Sequence, residues 1–207
     1  MIRLFKNPAF FRILYPSLIW DKKSGDSIYL TFDDGPDPLV TPWVLEQLRK
    51  CQAKATFFCL GKKLKDNTKL IARLLDEGHL VANHSFSHLN GWSTTSRDYI
   101  DDIKKCDQEL LGYDVKNNFF RPPYGRITRN QLKLLTDRKV VMWNRMAWDF
   151  DAQLNVPKAI RSMKKSKPGS ILLFHDTAMA FENLQLILPE ILKHFSNQGL
   201  ALRTLND

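Results

Sequence analysis

Ser27-Ile28-Tyr29-Leu30-Thr31-Phe32 runs directly into Asp33-Asp34-Gly35-Pro36. The first six residues are rich in β-formers and predict a strand over 27–32, which the Gly-Pro pair breaks off. Two adjacent carboxylates at a strand end repel each other unless something positive sits beside them, so the pair asks for a cation. Only one of the two should bind it, because neighbouring side chains on extended backbone point to opposite faces.

The same grammar recurs along the chain. Apolar strands are predicted over 54–60, 79–83, 139–143 and 170–174, with a shorter one over 118–120 leading into Arg121. Amphipathic helices are predicted over 41–48, 64–77, 96–111, 130–137, 157–167 and 181–198, with Thr41 and Ser96 as N-caps and Pro42 at a first helical position. Gly78, Pro168-Gly169 and Gly199 are the stops. Short apolar strands alternating with helices argue for a parallel sheet covered by helices, either a barrel or an open doubly wound sheet, with one site at the strand ends. Without an internal repeat, linker or low-complexity tract, the chain reads as one domain over 1–207, with residues 1–26 as an apolar and basic lead-in.

A domain of 207 residues buries about 70% of its unfolded surface and needs no staple. Its cysteines, Cys51, Cys59 and Cys106, show no C-x-x-C spacing and predict free thiols rather than a disulfide framework or zinc knuckle. The net charge of +9 favours anionic partners, but the basic residues are scattered and not interleaved with aromatics, so nucleic acid is not expected as a partner. The longest uncharged run of the lead-in, 13–20, is broken by Pro16 and is far short of the roughly 20 residues of a membrane span. No small-residue cleavage site follows it, so neither a signal peptide nor a transmembrane helix is expected, which predicts a cytoplasmic location or one on the cytoplasmic membrane face. Two readings of residues 1–20 compete. In one, Phe5, Phe10, Phe11 and Leu14 enter a membrane interface with Arg3, Lys6 and Arg12 at headgroup level; in the other they cover the domain's own core. The sequence sets no oligomeric state.

Three further polar clusters stand where predicted strands end. In Asn83-His84-Ser85-Phe86-Ser87-His88, two imidazoles four residues apart lie on one face of a helical turn and can share a metal. With one carboxylate of Asp33-Asp34 they make three protein ligands and leave a position open for water, the arrangement of a catalytic site. The other carboxylate is then free to take a proton from that water. His175, after Phe174, is placed to protonate a leaving group, and Arg121, on a loop stiffened by Pro122-Pro123, suits a bidentate grip on a carboxylate.

Taken in order, Thr31 to Pro36, His84 to His88, Arg121-Pro122-Pro123-Tyr124-Gly125, Trp143 to Phe150 and Leu172-Leu173-Phe174-His175 resemble the motifs of the polysaccharide deacetylases of the NodB-homology type, the family-four carbohydrate esterases. The resemblance covers roughly residues 27–200 and implies an irregular, incomplete (β/α) barrel of about seven strands with helices outside. It further implies Asp33 as general base, Asp34, His84 and His88 as metal ligands, and His175 as general acid. Arg121 would ion-pair with Asp33, the backbone N–H of Tyr124 would stabilise the oxyanion, and Leu173, Trp148 and Pro123 would line the substrate pocket. The implied cofactor is one divalent metal, Zn2+, with Co2+ or Ni2+ as competitors. The implied substrate is an N-acetylated, peptidoglycan- or chitin-like glycan. The alternative is an O-acetyl esterase, or a deacetylase or deformylase of a lipid-linked sugar at the membrane face. The fourth motif departs from the family pattern: Asp149 is followed by Phe150 rather than Trp, Trp148 precedes it, and Met146 stands where the family has an acid. Asp149 is the expected partner of His175, with Asp151 as its competitor.

Overall fold

The computed structural model describes residues 4–23 and 25–207, so Arg3, read above as a headgroup contact, lies outside the described residues. Eight strands are found among them: β1 Ser27–Asp33, β2 Thr56–Cys59, β3 Leu80–Asn83, β4 Phe119–Phe120, β5 Lys139–Val140, β6 Arg145–Met146, β7 Ile171–His175 and β8 Ala201–Arg203. The helices are α1 Ala9–Leu14, α2 Val40–Lys50, α3 Gly61–Leu64, α4 Thr68–Asp76, α5 Ser96–Leu111, α6 Arg129–Leu134, α7 Val156–Met163 and α8 Phe181–Asn197. The strands pair in parallel in the order β5-β4-β3-β2-β1-β7-β6, with β8 alongside the start of β1. This curled sheet, wrapped in helices, is the incomplete (β/α) barrel that the motifs imply.

All of β1 is buried, as befits a central parallel strand covered on both faces. Its side chains alternate. Ile28, Leu30 and Phe32 pack outward with Val44, Leu48 and Leu188 of the helices, whereas Tyr29 packs inward with Phe58, Ala82, Phe120, Ile171 and Leu173. Thr31 and Asp33 share the inward face, and the register sets Thr31 opposite Leu173 and Asp33 opposite His175. The carboxylate and the imidazole therefore stand side by side at the same strand ends.

Several local expectations are corrected. Thr41 is not an N-cap: α2 begins one residue earlier, and the Asp37 carboxylate accepts from the N–H groups of Leu39 and Val40 at 3.0 Å each. Thr95, not Ser96, caps α5 by accepting from the Asp98 N–H. The helix expected over 64–77 begins only at Thr68, as α4; Leu64 ends α3, and a 3₁₀ turn over Lys65–Asn67 joins the two. Thr128 caps α6 in a capping box with Gln131, while α7 ends at Met163, before the expected Pro-Gly stop. Only Lys139–Val140 of the strand expected over 139–143 joins the ladder.

The lead-in lies along the gap between the two edges of the sheet. Ile19 bridges Val141 beyond β5, Lys6 bridges Arg145 of β6, and Asp21 bridges Ser170 just before β7. Leu18 and Trp20 are buried in the inner core and Phe5 packs on the outer one, so these residues do cover the domain's own core. Phe10, Phe11 and Leu14 are exposed instead. Phe5, Leu18 and Trp20 thus follow the core-covering reading, and Phe5 leaves the interfacial set. Among the described residues no helix is long and apolar enough to cross a membrane, and all three cysteines are free.

Candidate active site

Arg121 leaves β4 and turns its guanidinium into the barrel, where it is fully buried. One guanidinium nitrogen donates to Asp33 Oδ1 at 2.7 Å and to the Thr31 hydroxyl at 2.8 Å, and the other nitrogens donate to the carbonyls of Met142 and Val141. The Phe58 ring lies 4.2 Å below it. A buried cation with so many partners has one place to be, and that place fixes Asp33.

The two aspartates are split by the backbone. β1 ends at Asp33, and Asp34 takes the left-handed conformation (φ 72°), which Asp tolerates better than most residues. Asp34 Oδ1 lies 3.3 Å from His84 Nε2 and 3.0 Å from His88 Nε2, while Asp33 Oδ2 stays 3.8 Å from His84 Nε2. Burial pushes the Asp34 carboxyl up, but the neighbouring His84, His88 and His175 outweigh it and hold the group well below the usual carboxylate range.

The two histidines do not share a helical turn, as the spacing suggested. They stand on an irregular loop in which Ser85 (φ 67°) and His88 (φ 65°) are both left-handed. The Asn83 side-chain Oδ1 accepts from the Ser85 N–H, the Ser85 hydroxyl accepts from the His88 N–H, and Asp102 of α5 accepts from the N–H groups of Phe86 and Ser87. His84 Nδ1 sits 2.9 Å from the Arg121 carbonyl, which presents Nε2 to the site.

A divalent cation fits this donor set. One ligand atom from each of Asp34, His84 and His88 lies within 4.8 Å of the others. Asp34 Oδ1 is buried yet makes no hydrogen bond of acceptable geometry among the described residues, an orphan that a cation between the rings would satisfy. Two imidazoles and a carboxylate suit Zn2+, Co2+ or Ni2+.

On the opposite wall, Asp149 Oδ1 meets His175 Nδ1 at 2.8 Å, and its Oδ2 accepts from the His175 N–H. It is Asp149 rather than its competitor Asp151 that receives both. Burial alone would favour the neutral ring, but Asp149, helped by Asp34 and Asp33, raises His175 to about 9. Phe150 sets its ring edge-on to the imidazole, 4.9 Å between centroids. Trp148 is left-handed (φ 59°) and donates its indole N–H to the Leu4 carbonyl, so it is tied to the lead-in. Leu173 is buried two residues below His175 on the same strand face, and Pro123 is buried in the 3₁₀ turn that follows Arg121. Tyr124 (φ 59°) is 59% exposed, its ring against His88 at 4.5 Å.

Residues that the sequence reading passed over support this set. Asp176 is fully buried, its carboxyl pushed by burial up to about 7 against the opposing Thr41 hydroxyl. It packs so closely under the turn that a Cβ on Gly35 would fall 2.2 Å from its Oδ2. Asn83 and Asp102 shape the histidine loop. Of these only Asn83-His84-Ser85 carries a readable signal, an Asx turn in which the side chain caps the backbone two residues on.

A family model described as polysaccharide deacetylase matches residues 21–143, more than half of the chain and inclusive of Asp33, Asp34, His84, His88, Arg121 and Tyr124. The chain belongs to the polysaccharide deacetylase family. Family relatives include two peptidoglycan-N-acetylglucosamine deacetylases of Bacillus cereus. One is 37% identical over 155 residues, 72% of this chain but 56% of its own length; the other is 30% identical over 196 residues, 91% of each. The chain thus spans little more than half of the first relative and nearly all of the second. A solved peptidoglycan N-acetylglucosamine deacetylase superposes with a TM-score of 0.85 at 29% identity, covering 96% of this chain and 95% of its own. The family match thus takes in the stretches around Asp33, His84 and Arg121, and the solved relative shares the fold.

Proposed function

We propose that this deacetylase-family protein is a metal-dependent hydrolase that removes N-acetyl groups from the amino sugars of a peptidoglycan- or chitin-like glycan. The observation that carries the reading is the meeting of three groups at one rim: Asp33 held by Arg121, the Asp34-His84-His88 donor set, and His175 backed by Asp149. Asp34, His84 and His88 hold the metal. When bound, the metal supplies Lewis acidity, polarising the acyl carbonyl and lowering the pKa of water from about 16 toward 7.

The chain's own residues do the rest. Asp33 takes one proton from the water whose oxygen attacks the acetamide carbon. The Tyr124 backbone N–H donates to the developing oxyanion. His175, protonated and fixed by Asp149, gives its proton to the nitrogen as the C–N bond breaks, because an amine leaves poorly without it. The products are acetate and a free sugar amine. Leu173 and Pro123 shape the space for the methyl group.

The test is acetate release from N-acetylglucosamine oligomers and from peptidoglycan, after chelation and after adding back Zn2+, Co2+ or Ni2+. Release that stops on chelation and returns with metal is expected. No release from any glycan under add-back overturns the reading. A membrane-face version, acting on a lipid-linked sugar, draws support from Phe10 and Ile13, 61% and 77% exposed on the α1 helix beside Arg12. Flotation with anionic vesicles tests it, and a protein that stays with the soluble fraction counts against it.

A further inference from the structure

Beside the catalytic rim a second concavity of about 250 Å³ opens against the side chain of Tyr124. Trp92, Tyr124 and Arg126 line it together with Phe11 and Tyr15 of the lead-in, over the buried Trp143. Of the tryptophans there, Trp20 and Trp143 are buried but Trp92 is 67% exposed, and exposed aromatic surface next to a reaction centre marks a binding face. The Arg126 guanidinium stands 4.9 Å from the Trp92 centroid and 5.8 Å from that of Tyr124, so one cation braces both exposed rings. The hollow also borders the catalytic rim: Tyr124 lines it and sets its ring 4.5 Å from that of His88, so a glycan whose reacting unit lies at His88 has its next unit within reach of the hollow.

We propose that this hollow is a sugar subsite, holding one pyranose unit of the same glycan chain beyond the residue that loses its acetyl group. Trp92 is the stacking platform and the lead-in, through Phe11, is the facing wall. The proposal rests on the deacetylase reading above. The chemistry favours a sugar because the C–H faces of a pyranose stack on aromatic rings while Arg126 offers donors to its hydroxyl and acetamido oxygens. Its size, near the lower bound of about 300 Å³ for small-molecule pockets, admits one ring rather than a chain.

The test compares kcat/KM on N-acetylglucosamine oligomers of increasing length for the natural protein, Trp92→Ala, Trp92→Phe and Phe11→Ala. Lengthening the substrate should raise kcat/KM of the natural protein by about tenfold, the worth of one good ring contact. Trp92→Ala should flatten that rise, Phe11→Ala should reduce it, and Trp92→Phe should keep most of it. The length ratio is taken within each variant, so a general loss of folded enzyme cancels. A ratio that Trp92→Ala leaves intact, or a natural protein indifferent to length, overturns the subsite. If no glycan is hydrolysed, the deacetylase reading fails separately, and titration of tryptophan fluorescence with the tetramer then decides. A response abolished in Trp92→Ala supports the subsite; no response, or a response only to an alkyl chain such as octyl glucoside, overturns it.

Discussion

Arg121 and Asp33 meet at 2.7 Å away from bulk solvent: the arginine is fully buried and the aspartate is 3% exposed. The same arginine, through its carbonyl, holds Nδ1 of His84. One residue thus fixes a proposed metal ligand with its main chain and the proposed base with its side chain.

Removing Arg121 strands a buried carboxylate. Arg121→Ala is therefore expected to destabilise the fold by about 3–5 kcal/mol, read from urea denaturation. A loss below about 1 kcal/mol, the level of an exposed ion pair, would contradict the buried geometry.

Asp33→Asn keeps the shape of the side chain and removes its capacity to take a proton. Turnover should fall by roughly 10²–10⁴-fold with metal content unchanged by atomic absorption. An active Asp33→Asn protein would remove Asp33 as the base.

Added Zn2+ should raise the thermal midpoint of the chelated protein, contributing about 2.7 kcal/mol at a hundredfold excess over Kd. His84→Ala and His88→Ala should abolish the rise. Asp34→Asn should weaken it by costing one charged ligand. A rise that survives in the double histidine variant places the metal elsewhere.

His175 carries its proton more tightly in the folded chain than the ordinary 6.5, up to about 9. A raised pKa means the folded state binds the extra proton, so its stabilisation is complete below 6.5 and is lost as pH rises through 9. Asp176, raised to about 7, works in the same direction over the lower range from its ordinary 3.8. In the chelated protein the decline above pH 7 should therefore belong to His175, and Asp149→Asn should flatten it. A decline unchanged by Asp149→Asn assigns it to another group.

Gly35→Ala drives a methyl group to within 2.2 Å of the Asp176 carboxylate. The turn carrying Asp34 must shift, which should cost about 1–3 kcal/mol and weaken metal binding. Wild-type stability and Zn2+ affinity in this variant would show that Asp176 moves aside freely.

The strands with continuous burial, β1, β2 and β7, could be read from the sequence because a parallel strand covered on both faces has to be apolar throughout. β6 and β8 could not, because a pair of half-buried residues and a three-residue strand of mixed burial carry neither a run nor an alternation. The rim residues were legible as motifs, yet the spacing of His84 and His88 pointed to a helix. Left-handed Ser85 and His88 bring the rings together instead, a conformation that residue types other than glycine do not announce. Thr31 passed for a β-former although its hydroxyl serves Arg121, since the partner comes from ninety residues away. Phe150, the departure from the family's Trp, meets His175 in space, and Trp148, expected in the substrate pocket, meets Leu4.

The lead-in also guards the sheet against other copies of the chain. An unclosed parallel barrel leaves two rows of unpaired backbone groups, each a template for intermolecular pairing. Here the carbonyls of Val140, Asn144 and Gly169 and the N–H groups of Met142 and Met146 are taken by residues 5–22. Removing that stretch exposes both rows at once, so the shortened protein should self-associate through its sheet, visible as scattering that grows with concentration.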